Sequence, residues 1–148
     1  MKILGITGHR NFSLPEENII NCVCSFLQEE KIEKVLLGMA IGFDQLVAKC
    51  CISLNIPFEA IIPFEGQELK WPLAQQKQFY EILLKADKIV LVSEGGFENW
   101  KFHKRNAYIV DNSDFMLCYL TEDKGGTYSC CQYASSKNKT IVNVINLL

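Results

Sequence analysis

Six short apolar runs, "KILGIT", "KVLLG", "FEAII", "KIVLVS", "FMLCYL" and "TIVNVINL", recur along the chain with helix-length segments between them. Within each run the apolar residues are mostly consecutive instead of alternating with polar ones. That is the pattern of strands buried on both faces, as in a parallel sheet covered by helices. The intervening segments agree. "SLPEENIINCVCSFLQEE" carries one apolar stripe of Ile19, Ile20, Val23, Phe26 and Leu27, with Ser13 three residues before Glu16 as a capping box and Pro15 in the first turn. Further helices are predicted over Phe43–Leu54, Pro72–Lys85, Trp100–Asn112 and Thr127–Ser136. Six strands alternating with five helices make an α/β fold: one three-layer domain over residues 1–148, with a mainly parallel sheet of about six strands and helices on both faces. A length of 148 residues suits a single core.

Charge and cysteine usage narrow the function classes. A net charge of -2 supplies no field for a nucleic-acid backbone, so nucleic acid is disfavoured as a partner. The basic cluster in "NWKFHKRN" (Lys101, His103, Lys104, Arg105) is either a solvated helix face or a local anion contact. The seven cysteines are odd in number and include two adjacent pairs, Cys50-Cys51 and Cys130-Cys131, with no C-x-x-C spacing. They read as reduced, buried thiols in a cytoplasmic protein, and no metal or cofactor is expected. On a helix Cys22 and Cys24 would point about 200° apart and could not share a metal. The run in "MKILGITGHR" is too short for a signal peptide's hydrophobic region or a membrane span.

In a doubly wound sheet, ligands bind outside the carboxyl ends of the strands, where strand order reverses. Three turns after predicted strands therefore become candidate ligand contacts. The first is "TGHR": Thr7 offers a hydroxyl, Gly8 close backbone approach, and Arg10, beside His9, a planar fork of donors suited to phosphate. The second is "GMAIGFDQL", where Gly38, Met39 and Gly42 lead into a helix whose N-terminal amides and dipole favour an anion. Asp44, in that helix's first turn, is either a helix cap or an acceptor for a ribose diol. The third is "DKGGTYSCC", in which Gly125 and Gly126 leave room for a phosphate and Thr127 adds a hydroxyl. Arg105 and Asn106 precede the fifth strand, and the arginine is a candidate phosphate clamp. Asp111 and Asp114 read as caps of that helix end and of the strand start. The loop "PFEGQELKWP" has the length and polarity of a binding loop, with Trp71 packed against the next helix or touching ligand. Phe97 and Trp100 in "SEGGFENW" are stacking or packing aromatics.

The ordered elements "ITGHR", "GMAIGFD", the proline, glutamine and tryptophan of "PFEGQELKW", then "RNAYIVDNSD" and "GGT", resemble the SLOG superfamily, especially its YpsA-like branch. The likeness runs from Lys2 to about Ala134. It implies a Rossmann-like fold and a nucleotide-derived ligand, and, as in many members, a homodimer or higher homo-oligomer. Some members sense or generate nucleotide signals in conflict systems; the cytokinin-activating members cleave the N-glycosidic bond of nucleoside monophosphates. Compared with those hydrolases, Arg105, Ala107, Ser113 and Asp114 match, while Asn106 replaces a lysine. In the following loop Gly126 and Thr127 match, Asp123 and Lys124 replace a glycine pair, and Ser129 stands in the place of the catalytic glutamate. Serine cannot stabilise an oxocarbenium-like transition state as a carboxylate does. The resemblance therefore implies ligand binding without turnover and assigns no catalytic residue. N-glycosidase chemistry through Asp44 is the alternative, and single-stranded DNA binding a lower one.

Overall fold

The computed structural model describes residues 2–148. Its elements follow in the order β1 (Ile3–Gly8), α1 (Glu16–Glu29), β2 (Lys34–Leu37), α2 (Phe43–Leu54), β3 (Phe58–Ile62), α3 (Leu73–Leu83), β4 (Lys88–Leu91), α4 (Trp100–Asp111), β5 (Phe115–Tyr119), α5 (Gly125–Ser136) and β6 (Ile141–Asn143), closing with a short 3-10 turn at Val144–Leu147. The six strands form one sheet in the order β4-β3-β2-β1-β5-β6. Every pairing is parallel. The fold is α/β and Rossmann-like, with the reversal of strand order at β1.

The consecutive apolar runs are explained by two cores. In β2, Val35 and Leu37 face the cluster built with Ile19, Val23, Val47 and Phe79, whereas Leu36 faces the cluster with Ile109, Val110, Cys130 and Ala134. β3 repeats the split, with Ala60 and Ile62 on the first side and Ile61 on the second. Helices α1, α2 and α3 cover one face and α4 and α5 the other. Both strand faces are thus buried in the sheet's centre, as period-2 geometry requires when helices lie on each side.

The edges depart from the expectation. The run that forms β4 leaves Ile89 54% and Leu91 42% exposed, and β6 is only partly buried. Both are outer strands. The N-terminus of α1 is a second correction: Pro15 occupies the cap position with no side-chain cap, so the predicted capping box is absent. Ser13 turns instead to the fully buried Tyr119, whose hydroxyl oxygen accepts from the Ser13 amide at 3.3 Å. Asp114 holds the start of β1, accepting from the Ile3 amide at 2.8 Å, while Asp111 at the end of α4 accepts from the Tyr133 hydroxyl at 2.8 Å.

The seven cysteines are unpaired, and burial pushes the thiols of Cys51 and Cys130 up to about 12. Among the described residues no helix is long and apolar enough to cross a membrane.

Leu4 lies on the central strand with no exposed surface, while Leu73 opens α3 with 82% exposed. Leu4→Ala is expected to lower the unfolding free energy by about 2–5 kcal/mol and Leu73→Ala to change it by less than about 0.5 kcal/mol, read by urea titration.

Candidate functional site

Because β1 lies between β2 and β5, the chain leaves its carboxyl end where neighbouring connections depart to opposite faces of the sheet. A crevice opens there, with a cavity of about 600 Å³ lined from the turns after β1, β2, β3 and β5 and from α4. That volume suits a ligand of nucleotide size.

The floor is organised around one carbonyl. The oxygen of Gly38 accepts from Arg105 Nη1 at 2.6 Å and from Gln67 Nε2 at 3.1 Å. A Cβ at residue 38 would collide with the guanidinium, which is why glycine stands there. Arg105 is nearly enclosed, with 6% of its surface exposed, and its Nε donates to Asn106 Oδ1 at 2.9 Å. Nη2 has no hydrogen-bond partner among the described residues and lies in a side chain that lines the cavity. Burial lowers the guanidinium pKa, and the Asp44 charge acts in the opposite sense. An arginine remains cationic in such a setting.

Asp44 closes the second turn on itself. Its Oδ2 accepts from the Ala40 amide at 3.2 Å, so the carboxylate engages an amide that would otherwise face an anion. Met39, with φ 62° and no exposed surface, points into the core, and its carbonyl accepts from Gln45 Nε2 at 3.1 Å. Gly42, with φ 99°, lies where a Cβ would strike the Arg10 carbonyl. Gly38, Met39 and Gly42 are not among the residues that line the cavity. What reaches the cavity from this turn is Ala40, Ile41 and Asp44.

Burial raises the Asp44 carboxyl from 3.8 to about 6, against the lowering influence of Arg105 and of the Ala40 and Gly38 amides. The folded state thus keeps this proton up to about pH 6, whereas the unfolded chain releases it near 3.8. Between those values the folded state binds more protons, so stability falls as pH rises through that window.

The other two turns bring their candidates to the cavity. Thr7, Gly8, His9 and Arg10 line one side, Gly125, Gly126 and Thr127 another, and Arg105 and Asn106 the floor. Gly125 takes φ 89° and opens α5, whose N-terminus has no side-chain cap. A Cβ built at Gly125 or Gly126 meets nothing within 4 Å. His9 has a structural task as well: its Nε2 accepts from the Thr121 amide at 2.9 Å, tying the turn after β1 to the turn after β5.

Sequence reasoning missed Gln67, Phe102, Glu122 and Lys124, which also line the cavity. Trp71 packs edge-on against Phe79 at 5.5 Å, as one reading of it expected, and also lines the cavity. Phe97 packs on Phe64 and Phe102 and, with Trp100, stays out of the lining. Ser129 is exposed and also outside it. The basic cluster divides: His103 and Lys104 are exposed, whereas Lys101 is buried and donates to the carbonyls of Glu94 and Gly96 at 2.7 Å each. The Gly95 carbonyl in turn accepts from the Glu65 amide at 3.2 Å, so this latch braces the loop that carries Gln67 and Trp71. Among the described residues no group of three or more His, Cys, Asp or Glu is placed to hold a metal ion.

The family model described as the YspA SLOG family matches residues 4–147. The chain belongs to that family. It is similar to the SPbeta prophage-derived protein YoqJ of Bacillus subtilis, 28% identical over 136 residues that cover 80% of this chain and 79% of the relative. The fold also resembles DNA processing protein A of Streptococcus pneumoniae, with TM-score 0.69 and 17% identity, covering 95% of this chain and 49% of that one. A molybdenum cofactor binding protein of Rippkaea orientalis superposes with TM-score 0.64 and 17% identity, covering 95% of this chain and 74% of that one.

Asp44→Asn removes a buried carboxyl that titrates. Relative to the variant, the native protein is expected to lose on the order of 2–3 kcal/mol of stability between pH 4 and pH 7, measured by urea unfolding across that range.

Proposed function

We propose that this SLOG protein binds a nucleotide-derived, phosphate-bearing ligand in the crevice and holds it without turnover, as a sequestering or sensing protein. One observation carries the reading: the strand order sorts the cavity's contacts by chemistry. The turns after β1 and β5 supply the uncapped N-terminus of α5, the open space over Gly125 and Gly126, and the exposed side chains of Arg10 and Lys124. Backbone amides and cationic side chains at a helix N-terminus suit a phosphate. From the turns after β2 and β3 and from α4, Ile41, Trp71 and Phe102 add apolar and aromatic surface suited to a base. Asp44 and Arg105 lie in the lining with them, where a carboxylate accepts from a ribose diol. The ligand class is an ADP-ribose-like or cyclic nucleotide signal, of the kind used in anti-phage conflict systems. A single-domain homo-oligomer in the cytoplasm completes the proposal.

Absence of turnover is supported by the exposed Ser129, which offers no carboxylate where related hydrolases carry theirs. A second reading, N-glycosidic cleavage, is favoured by the Asp44 carboxyl, which burial holds at about 6 within the cavity. An acid in that range can protonate a leaving base near neutral pH. Chromatography separates the two: recovery of intact ligand supports holding, and free base released in proportion to protein supports cleavage. If cleavage occurs and Asp44→Asn leaves its rate unchanged, the acid is not Asp44.

Calorimetric titration with nucleoside monophosphates, ADP-ribose and cyclic dinucleotides is expected to show saturable binding by at least one of them. Absence of binding across the panel, or strong salt-sensitive retention on single-stranded DNA, would overturn the reading. Gly126→Asp adds a carboxylate in open space at a helix N-terminus, where the dipole favours it. The variant is expected to keep its thermal unfolding midpoint within about 2 °C while affinity falls by about tenfold or more, since repulsion of the phosphate acts only in the complex.

A further inference from the structure

Gln67 is held in place by less than its chemistry allows. It is 8% exposed, and its Oε1 is enclosed without a hydrogen-bond donor among the described residues. The orientation of the amide is fixed by its neighbour: the Gly38 carbonyl only accepts, so Nε2 must face it and Oε1 must face away. The bond that Nε2 makes, at 3.1 Å, is to a carbonyl that Arg105 already serves at 2.6 Å. Turning the amide about its soft terminal torsion would therefore leave that carbonyl satisfied. An enclosed, unpaired acceptor bears its desolvation penalty in full until a donor arrives.

The setting says what kind of donor. Gln67 lines the cavity together with Ala40, Ile41, Trp71 and Phe102, and it comes from the loop after β3, across β1 in the sheet from the β5 turn that opens α5. The other enclosed orphan, Ser93 Oγ, belongs to a residue outside the lining. A terminal amide carries one donor face and one acceptor face; adenine and cytosine each satisfy both with an amine beside a ring nitrogen, and adenine is the base that glutamine ordinarily pairs with.

We propose that Gln67 is the base-reading residue of the site, and that the base is of adenine type. The inference rests on the nucleotide-binding reading above and extends it from a phosphate-bearing ligand to a class of base. Oε1 accepts from the exocyclic amine while Nε2 donates to the neighbouring ring nitrogen, after the amide turns from Gly38.

The test compares AMP with purine riboside 5′-monophosphate, which has the same ring, ribose and phosphate but no amine, by calorimetry on the native chain and on Gln67→Met. The native chain is expected to favour AMP by about tenfold, the discrimination typical of a site built to pair a polar group. In Gln67→Met the two affinities are expected to converge within about twofold, through weaker AMP binding. Gln67→Asn, which keeps the amide but withdraws it by one methylene, is expected to lose the preference as well. It serves where the methionine variant unfolds early. Equal affinities in the native chain, or a preference that survives both substitutions, would overturn the inference. So would tight binding of other nucleotides with none of AMP, an outcome that leaves the nucleotide site itself standing. Failure of every nucleotide to bind would remove both.

Discussion

A single backbone oxygen, that of Gly38, governs the crevice. It draws Arg105 across from α4 and Gln67 from the loop after β3, so one acceptor joins two segments that are far apart in sequence. The guanidinium can lie buried because the carbonyl and the Asn106 side chain take two of its donors and Asp44 balances its charge through space. Burying a charge without such partners is strongly unfavourable. The same contact requires glycine at position 38, and it places a cation and a raised carboxyl side by side in the cavity lining.

Around that oxygen the cavity's contacts are sorted by the elements that supply them. Donors come from the turns after β1 and β5, Trp71 from the loop after β3 and Phe102 from α4, and a carboxyl and a guanidinium occupy the lining with them. The first and third turns are open toward the cavity, while the second is closed on itself by Asp44. Three glycine-bearing turns thus resolve into two that face outward and one that builds the floor. The distinction comes from what each glycine approaches: empty space at Gly125 and Gly126, a side chain at Gly38 and the Arg10 backbone at Gly42.

Much of this was legible in the sequence, and the failures have definite physical causes. Consecutive apolar residues identified the strands because both faces of β1, β2, β3 and β5 meet a core, and α2 has the predicted bounds. The order of strands is set by tertiary pairing, so nothing in "KIVLVS" announced an edge. Gly38 was singled out for its place in a turn, whereas the contact its carbonyl makes is with Arg105, 67 positions away and invisible to local reading. Gln67 was noticed only as part of the resemblance and not as a cavity residue, because a glutamine in a polar loop reads as solvated, and Phe102 on a helix reads as core. Ser13 matched the capping-box spacing, yet the buried Tyr119 hydroxyl needed a partner and took it. Met39 shows the limit of reading a turn residue by residue, because its positive φ sends the side chain inward.

The Lys101 latch gives the charges around the crevice different physical characters. Its ammonium is shut away from solvent and binds the carbonyls of Glu94 and Gly96, and the brace continues through the Gly95 carbonyl to Glu65. Mobile ions screen exposed charges strongly and enclosed ones weakly. The loop that carries Gln67 and Trp71 is therefore held by a charge that added salt scarcely reaches, whereas Arg10 and Lys124 stand in bulk electrolyte. Ionic strength becomes a tool that acts on one set of the crevice's charges: it screens Arg10 and Lys124 while the loop that carries Gln67 and Trp71 keeps its brace.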